Sequence, residues 1–246
     1  MKVTLLGHTQ TTINVPSYVH DLGATDGQVI ALAAIRQCYS HKTALEVLET
    51  ESEKYFGDKG QEGKRLFNHI VKSGHTSTLE HIHFTFAVEG VSRALLAQLT
   101  RHRQLSFSVQ SQRYNKFSSD SRSGGFDAVV PATISGNVTE DEKRYTDSVG
   151  MSYTAQEVFE QAMEWAQESY NALIACGVPQ EDARAVLPNA TTCNLVTSGN
   201  LRAWLEFYNK RKKGNGAQAE IAEFAEQIKN AIVEVEPWTK DYFEME

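Results

Sequence analysis

From Glu80 to Gly90 the chain reads EHIHFTFAVEG, with Ile82, Phe84, Phe86 and Val88 on alternate positions and His81, His83, Thr85 and Ala87 between them. Successive strand side chains point to opposite faces, so the segment is predicted as a strand with one face in a core. Such a strand needs apolar cover on that face, and most of the remaining sequence offers helices to supply it. TDGQVIALAAIRQCYS has a threonine cap ahead of Val29, Ile30, Ala33, Ala34 and Cys38, the spacing of an amphipathic helix. Two further helical runs follow, Thr43 to Tyr55 and roughly Gln61 to Lys72, the second stopped by Gly74.

Beyond the strand, Ser92 caps RALLAQLTRHR, anchored by Leu95, Leu96 and Leu99, so Arg101 to Arg103 fall at the C-terminal end of that helix. Leu105 to Val109 returns to a period of two. SSDSRSGG is a polar loop, expected to be mobile, ahead of a short strand FDAVVP. The stretch from Glu140 to Pro179 is predicted as a long helix interrupted near Gly150 and stopped by Gly177. After a short helix QEDARAVLP come a β-rich run, TTCNLVTSG, and two amphipathic helices, NLRAWLEFYNKRKK and AQAEIAEFAEQIKNAIVEV. With a short opening strand at Val3 to Leu6, strands and helices do not alternate as βαβ units. The expected class is α+β, helices packed on a largely antiparallel sheet, in a single domain over residues 1–246.

Net charge is −7, which argues against a broad nucleic-acid surface and leaves room for a local basic pocket. The N-terminal residues lack a charged region followed by a sustained apolar run, and no segment approaches the ~18 apolar residues of a membrane span; a cytoplasmic protein without membrane contact is expected. Cys38, Cys176 and Cys193 lie far apart and outside any CxxC pattern, so no disulfide framework or zinc site is expected and they are read as half-buried packing residues.

Against that acidic background, TRHRQLSFSVQSQRYNKF (Thr100 to Phe117) holds four arginines or lysines and no acid. Arg101, Arg103 and Arg113 are planar forks suited to phosphate, and Ser106, Ser108 and Ser111 are short donors for the remaining oxygens, converging if the chain bends near Val109 or Gln110. A solvated surface is the bland alternative. A nucleic-acid module with Phe107, Tyr114 and Phe117 stacking on bases is opposed by the charge. A metal centre from His75, Glu80, His81 and His83 would need a further ligand beyond the His81/His83 pair on one strand face; no metal is expected.

RHRQLSFSVQSQRY also matches RHRxxS followed by SxRY, and in this it resembles the flavin-dependent thymidylate synthases. SGHTSTLEHIHFTF is similar to that family's GHxSxxEH segment, ARAVLP to its RxxLP segment, NLRAWLEFYNKR to its NxRxxxxFxxxR helix, and PWT at Pro237 to Thr239 to its C-terminal end. The resemblance implies a homotetramer with active sites shared between subunits. It implies methylation of dUMP, with 5,10-methylenetetrahydrofolate giving the carbon and NADPH reducing a bound FAD. By position it implies Ser77, Arg101, His102, Arg103, Asn200, Leu201 and Arg202 for FAD, and His75 beside the flavin. For dUMP it implies Gln98, Arg101, Ser111, Gln112, Arg113, Arg184 and Arg211. The catalytic set it implies is Arg211, Ser111 and His75.

Eleven residues of helix advance ~1100°, so Asn200 and Arg211 leave one face about three turns apart, and an arginine at the far end would stabilise charge developing on a uracil carbonyl. None of the contexts QCY, ACG or TCN resembles the Pro-Cys-His setting of the classical thymidylate synthases, so no cysteine nucleophile is expected. Three residues depart from the family pattern: Val109 replaces an acid or amide, Ser108 an asparagine, and Glu206 an asparagine or histidine. Glu206 stands at i,i+4 from Arg202 and is read as its intrahelical ion-pair partner.

Overall fold

The fold was analysed on a computed structural model, which describes residues 1–12, 19, 21–135 and 144–244. Its strands are β1 (Lys2–His8), β2 (His83–Ser92), β3 (Ser106–Val109), β4 (Arg144–Thr146), β5 (Ser152–Thr154) and β6 (Thr192–Asn200). Its helices are α1 (Asp26–Tyr39), α2 (Ala44–Lys72), α3 (Arg93–Leu99), α4 (Ala132–Ser135), α5 (Ala155–Ala175), α6 (Gln180–Ala183), α7 (Leu201–Arg211), α8 (Ala219–Val235) and α9 (Lys240–Phe243). Short 3-10 turns run over Thr76–His81, Arg184–Val186 and Pro237–Thr239.

The sheet has the order β1-β2-β6-β3 and every pairing is antiparallel, as the α+β reading expects. Phe84, Phe86 and Val88 of β2 are buried, and so is Ile82 just before it. They meet α7 and α8, whose Trp204, Phe207, Phe224 and Ile228 belong to the same core. The helices start where the sequence can satisfy their first N–H groups. Thr25, Thr43 and Thr154 form capping boxes with Gln28, Glu46 and Glu157, while Ser92 and Asn200 accept from Leu95 and Ala203 N–H groups.

Helix α7 is pinned to the sheet by one side chain. Trp204 is fully buried, meets Phe86 edge-on at 5.3 Å and Phe207 at 5.8 Å, and donates its indole N–H to the Gly199 carbonyl at 3.1 Å. A Cβ on Gly199 would run into Leu105 Cδ2 and lie 3.4 Å from the indole nitrogen, so a side chain there would have to displace the buried Leu105.

The chain also closes on itself. Buried Glu236 accepts from Gly27 N–H at 3.0 Å, from the Thr25 hydroxyl and from the Trp238 indole. Its carboxylate thus covers the start of α1, where the helix dipole favours negative charge, and burial pushes its proton affinity up.

Several elements differ from the sequence expectation. The two runs before Gly74 form one helix, α2, with the divide surviving as a local distortion at Lys59 and Gly60, whose φ values are 61° and 70°. The segment around Gly150 is a β4–β5 hairpin rather than helix: Asp147 Oδ1 accepts from Val149 and Met151 N–H groups at 3.0 and 2.9 Å, closing a turn that competes with helix. Helix resumes only at the Thr154 cap; the part of that expectation on residues 140–143 lies outside the described residues. FDAVVP makes an isolated bridge, Ala128 to Thr191. The SSDSRSGG loop is laced rather than open, with Ser121 and Ser123 hydroxyls both donating to the Lys116 carbonyl and Ser119 N–H to Asn171. His81 ends the 3-10 turn instead of lying on β2 with His83. Cys38 and Cys176 are exposed; only Cys193 is buried.

Candidate active site

Strand β6 ends at Asn200, which caps α7 by accepting from Ala203 N–H at 2.8 Å. Two residues on, Arg202 donates to Glu80 at 2.7 Å and to Glu206 at 3.1 Å. The intrahelical pair is as the spacing predicts; Glu80, from the turn that also carries Ser77, is an additional partner. Glu80, Gln104, Asn200, Arg202, Ala203 and Glu206 line a cavity of about 230 Å³. Leu201 does not face it. Its side chain is fully buried and its N–H donates to the Ile82 carbonyl at 2.7 Å, so its side chain belongs to the core.

At the far end of α7, Arg211 donates through Nε to His102 Nε2 at 3.1 Å and through its second Nη to the Gln98 carbonyl at 3.4 Å. His102 packs edge-on against Phe207 at 4.9 Å. Accepting at Nε2 places the ring proton on Nδ1. Burial, and then the charges of Arg211 and Lys210, bring its pKa down from 6.5 to about 4. The folded chain therefore binds this proton less readily than the unfolded chain. The stability His102 contributes is present above pH 6.5 and lost as pH falls towards 4. We expect ¹⁵N-histidine spectra to show the Nδ1–H tautomer of His102 at neutral pH and no protonation midpoint above 5.5; a midpoint near 6.5 would contradict the contact with Arg211. Arg101 and Arg103, just beyond α3, are exposed and form no ion pair among the described residues.

A third group forms where the chain turns after β3. Gln110 holds the bend, with its N–H on the Asn194 carbonyl at 2.8 Å and its Oε1 accepting from Asn194 N–H at 3.2 Å. Ser111 Oγ accepts from Arg113 N–H at 3.1 Å. Glu181 Oε2 takes Arg113 Nε at 2.9 Å and its terminal nitrogen at 2.8 Å, and the Glu181 carbonyl accepts from Arg184 Nε at 2.9 Å. Gln112 is buried within the turn.

The expected residues are thus gathered as Asn200 with Arg202, Gln98 and His102 with Arg211, and Ser111 and Arg113 with Arg184, while Ser77 shares only the 3-10 turn of Glu80. Among the described residues no hydrogen bond or ion pair joins one group to the next. Ser106 and Ser108 lie on the exposed face of β3, apart from Ser111. His75 stands by itself with Tyr39, whose hydroxyl is 2.7 Å from its Nδ1. Sequence reading missed Tyr39, Gln104 and Glu181. The Glu181 carboxylate meets Arg113 across 68 residues, and only its backbone carbonyl meets Arg184, so no local spacing marks it; Tyr39 and Gln104 likewise arrive only through tertiary packing. Burial raises the Cys193 thiol pKa, which makes it a poorer nucleophile. Among the described residues no three His, Cys, Asp or Glu side chains are placed to hold a metal ion, and no helix is long and apolar enough to cross a membrane.

The arrangement offers unpaired guanidiniums for phosphate, amides beside a cavity, and an arginine held against a neutral histidine. Comparison with known proteins gives the family. The family model described as thymidylate synthase complementing protein, Thy1, matches residues 22–238. The flavin-dependent thymidylate synthase of Geobacter sulfurreducens is 35% identical over 237 residues, covering 96% of this chain and 84% of that protein. The enzyme of the same name from Haloarcula marismortui is 36% identical over 233 residues, covering 92% and 94%. Two solved structures share the fold. The UMP/dUMP methylase PolB of Streptomyces cacaoi, bound with 5-Br dUMP, has a TM-score of 0.68 at 24% identity over 99% of this chain and 94% of that one. ThyX of Helicobacter pylori, complexed with FAD and dUMP, has a TM-score of 0.64 at 23% identity over 99% and 98%. With the motifs, the fold and relatives at this identity all in agreement, the chain belongs to the family of flavin-dependent thymidylate synthases.

Proposed function

We propose that the protein converts dUMP to dTMP, taking the carbon from 5,10-methylenetetrahydrofolate and reducing equivalents from NADPH through FAD, and releasing tetrahydrofolate. The observation that carries this reading is Arg211, held by His102 and Gln98 three turns along the helix that begins at Asn200 and Arg202. One rigid element thereby presents the Asn200 amide and the carboxylate-paired Arg202 at one end and Arg211 at the other.

The residues suit these ligands unevenly. Arg101 and Arg103, exposed and unpaired, fit the FAD diphosphate. Arg202 is matched by two carboxylates, so its surroundings suit the polar edge of the ring system, together with Ser77, Asn200 and Gln104, better than a phosphate. Neutral His102 adds a polar contact without adding charge. Ser111, Arg113 and Arg184, with Gln112 behind them, suit the nucleotide phosphate, and Gln98 and Arg211 its base. When bound, the flavin supplies hydride transfer. The protein orients the ring, neutralises the phosphates, and through Arg211 stabilises negative charge developing on a uracil carbonyl as C5 becomes nucleophilic. Since the groups do not touch within one chain, a site completed by a second copy, in a homotetramer, accounts for their separation.

The protein is expected to purify yellow, release FAD on denaturation, and form dTMP from dUMP with methylenetetrahydrofolate and NADPH. Replacing Cys38, Cys176 and Cys193 together by alanine should leave that turnover measurable. A colourless protein that takes up no FAD would overturn the flavin assignment, and a folded, FAD-bound triple variant without any turnover would overturn the thiol-free chemistry.

A further inference from the structure

Helix α2 carries a basic feature that this reaction leaves without a role. Gln61, Lys64, Arg65, Asn68, His69 and Lys72 line one shallow depression, and their spacing of 3, 4, 7, 8 and 11 from the first is one continuous helical face. No acid lies in that lining, in a chain of net charge −7. Two neighbours contribute carboxylates from its edges: Asp241 at 2.9 Å from Lys64 and Glu62 at 3.7 Å from Arg65. Even so, the Lys64 and Arg65 side chains remain 67% and 83% exposed. Cations in a last helical turn favour the dipole, which accounts for His69 and Lys72 but not for Lys64 and Arg65 farther up.

The place of the stripe in the fold suggests its occupant. Lys72 is followed by Ser73, Gly74 and His75, and His75 is the residue met by the Tyr39 hydroxyl. The stripe therefore starts at the candidate flavin side and runs ~12 Å away from it, eight residues at 1.5 Å each from Lys72 to Lys64. A carbon donor must bring its reactive end to the nucleotide, so only its tail is free to extend along the surface. We propose that this face of α2 binds the poly-γ-glutamate tail of the folate, an acidic chain carrying one α-carboxylate per residue. The inference rests on the folate reading above.

The test compares mono- and pentaglutamyl methylenetetrahydrofolate with the wild-type enzyme and with Lys64→Gln/Arg65→Gln/Lys72→Gln. The wild type should show a KM roughly tenfold lower for the pentaglutamate, shrinking as salt rises. In the triple variant the two KM values should converge on that of the monoglutamate, with its kcat unchanged. Fluorescein-labelled penta-γ-glutamate, followed by polarisation, should bind the wild type more tightly than the variant. Because Lys64→Gln also loses Asp241, Arg65→Gln/Lys72→Gln serves as a second variant and should show a smaller convergence. Equal KM values for the two folates in the wild type, or a preference that survives neutralisation, would overturn the proposal. Failure of both folates to support turnover would overturn the reaction assignment, and this proposal with it.

Discussion

Arg211→Ala is expected to lower dUMP methylation by on the order of 10²-fold or more while FAD reduction by NADPH stays near the wild-type rate. Two acceptors, His102 and the Gln98 carbonyl, fix the guanidinium before any ligand arrives. Its orientation is therefore part of the folded state rather than a cost at the moment of reaction. Alanine removes charge from a half-buried position and, of the residues assigned to FAD, takes a partner from His102 alone. Since the field of Arg211 is second to burial among the causes that keep His102 neutral, the variant should also show a partial upward return of that histidine's pKa. Stopped-flow absorbance times flavin reduction, and single-turnover quenching times methylation. A wild-type methylation rate at saturating dUMP would leave Arg211 as a surface cation of the NKRKK run.

Trp204→Ala should cost about 3–5 kcal/mol, the range for removing a fully buried large aromatic side chain. The edge-on contacts with Phe86 and Phe207 vanish, the Gly199 carbonyl loses its indole partner, and the space cannot be refilled from Gly199. At ~2–4 °C per kcal/mol for a chain of this size, the melting midpoint should fall by roughly 6–20 °C. The indole also fixes the helix carrying Asn200, Arg202 and Arg211, so FAD content should fall in the same variant. Phenylalanine at 204 should recover most of the stability. A loss below 1 kcal/mol in denaturant titration would mean that this contact does not anchor α7.

Legibility in the sequence followed the range of the interaction. Alternation at Phe84, Phe86 and Val88 is local, and so are the caps at Ser92 and Thr25 and the Arg202–Glu206 pair; all are in the structure where the sequence places them. The hairpin at Gly150 was missed because the helical pattern after Thr154 is strong and a single aspartate, Asp147, decides the preceding turn. Farther-ranging facts left no local trace. Glu80 reaches Arg202 across 122 residues and Arg211 reaches His102 across 109, and the neutrality of His102 depends on that second contact. The basic stretch was legible as a cluster of cations, whereas its division between Arg101 and Arg103 beyond α3 and Arg113 beside α6 depended on the bend at Gln110.

Glu236 bears on how the chain comes to be folded in a cell. Its carboxylate covers the first turn of α1 from 209 residues farther along, at Gly27. At ~5–20 residues per second, a ribosome needs about 10 to 40 s to span that interval. Throughout that time the Gly27 N–H faces water or a chaperone, while only the Thr25 cap on Gln28 is available locally. Nor can β2 acquire its β6 neighbour until Asn200 has emerged. Synthesis thus delivers a long-lived nascent chain with an open sheet edge and an uncovered helix start, and the fold is completed only after nearly all of it has left the ribosome.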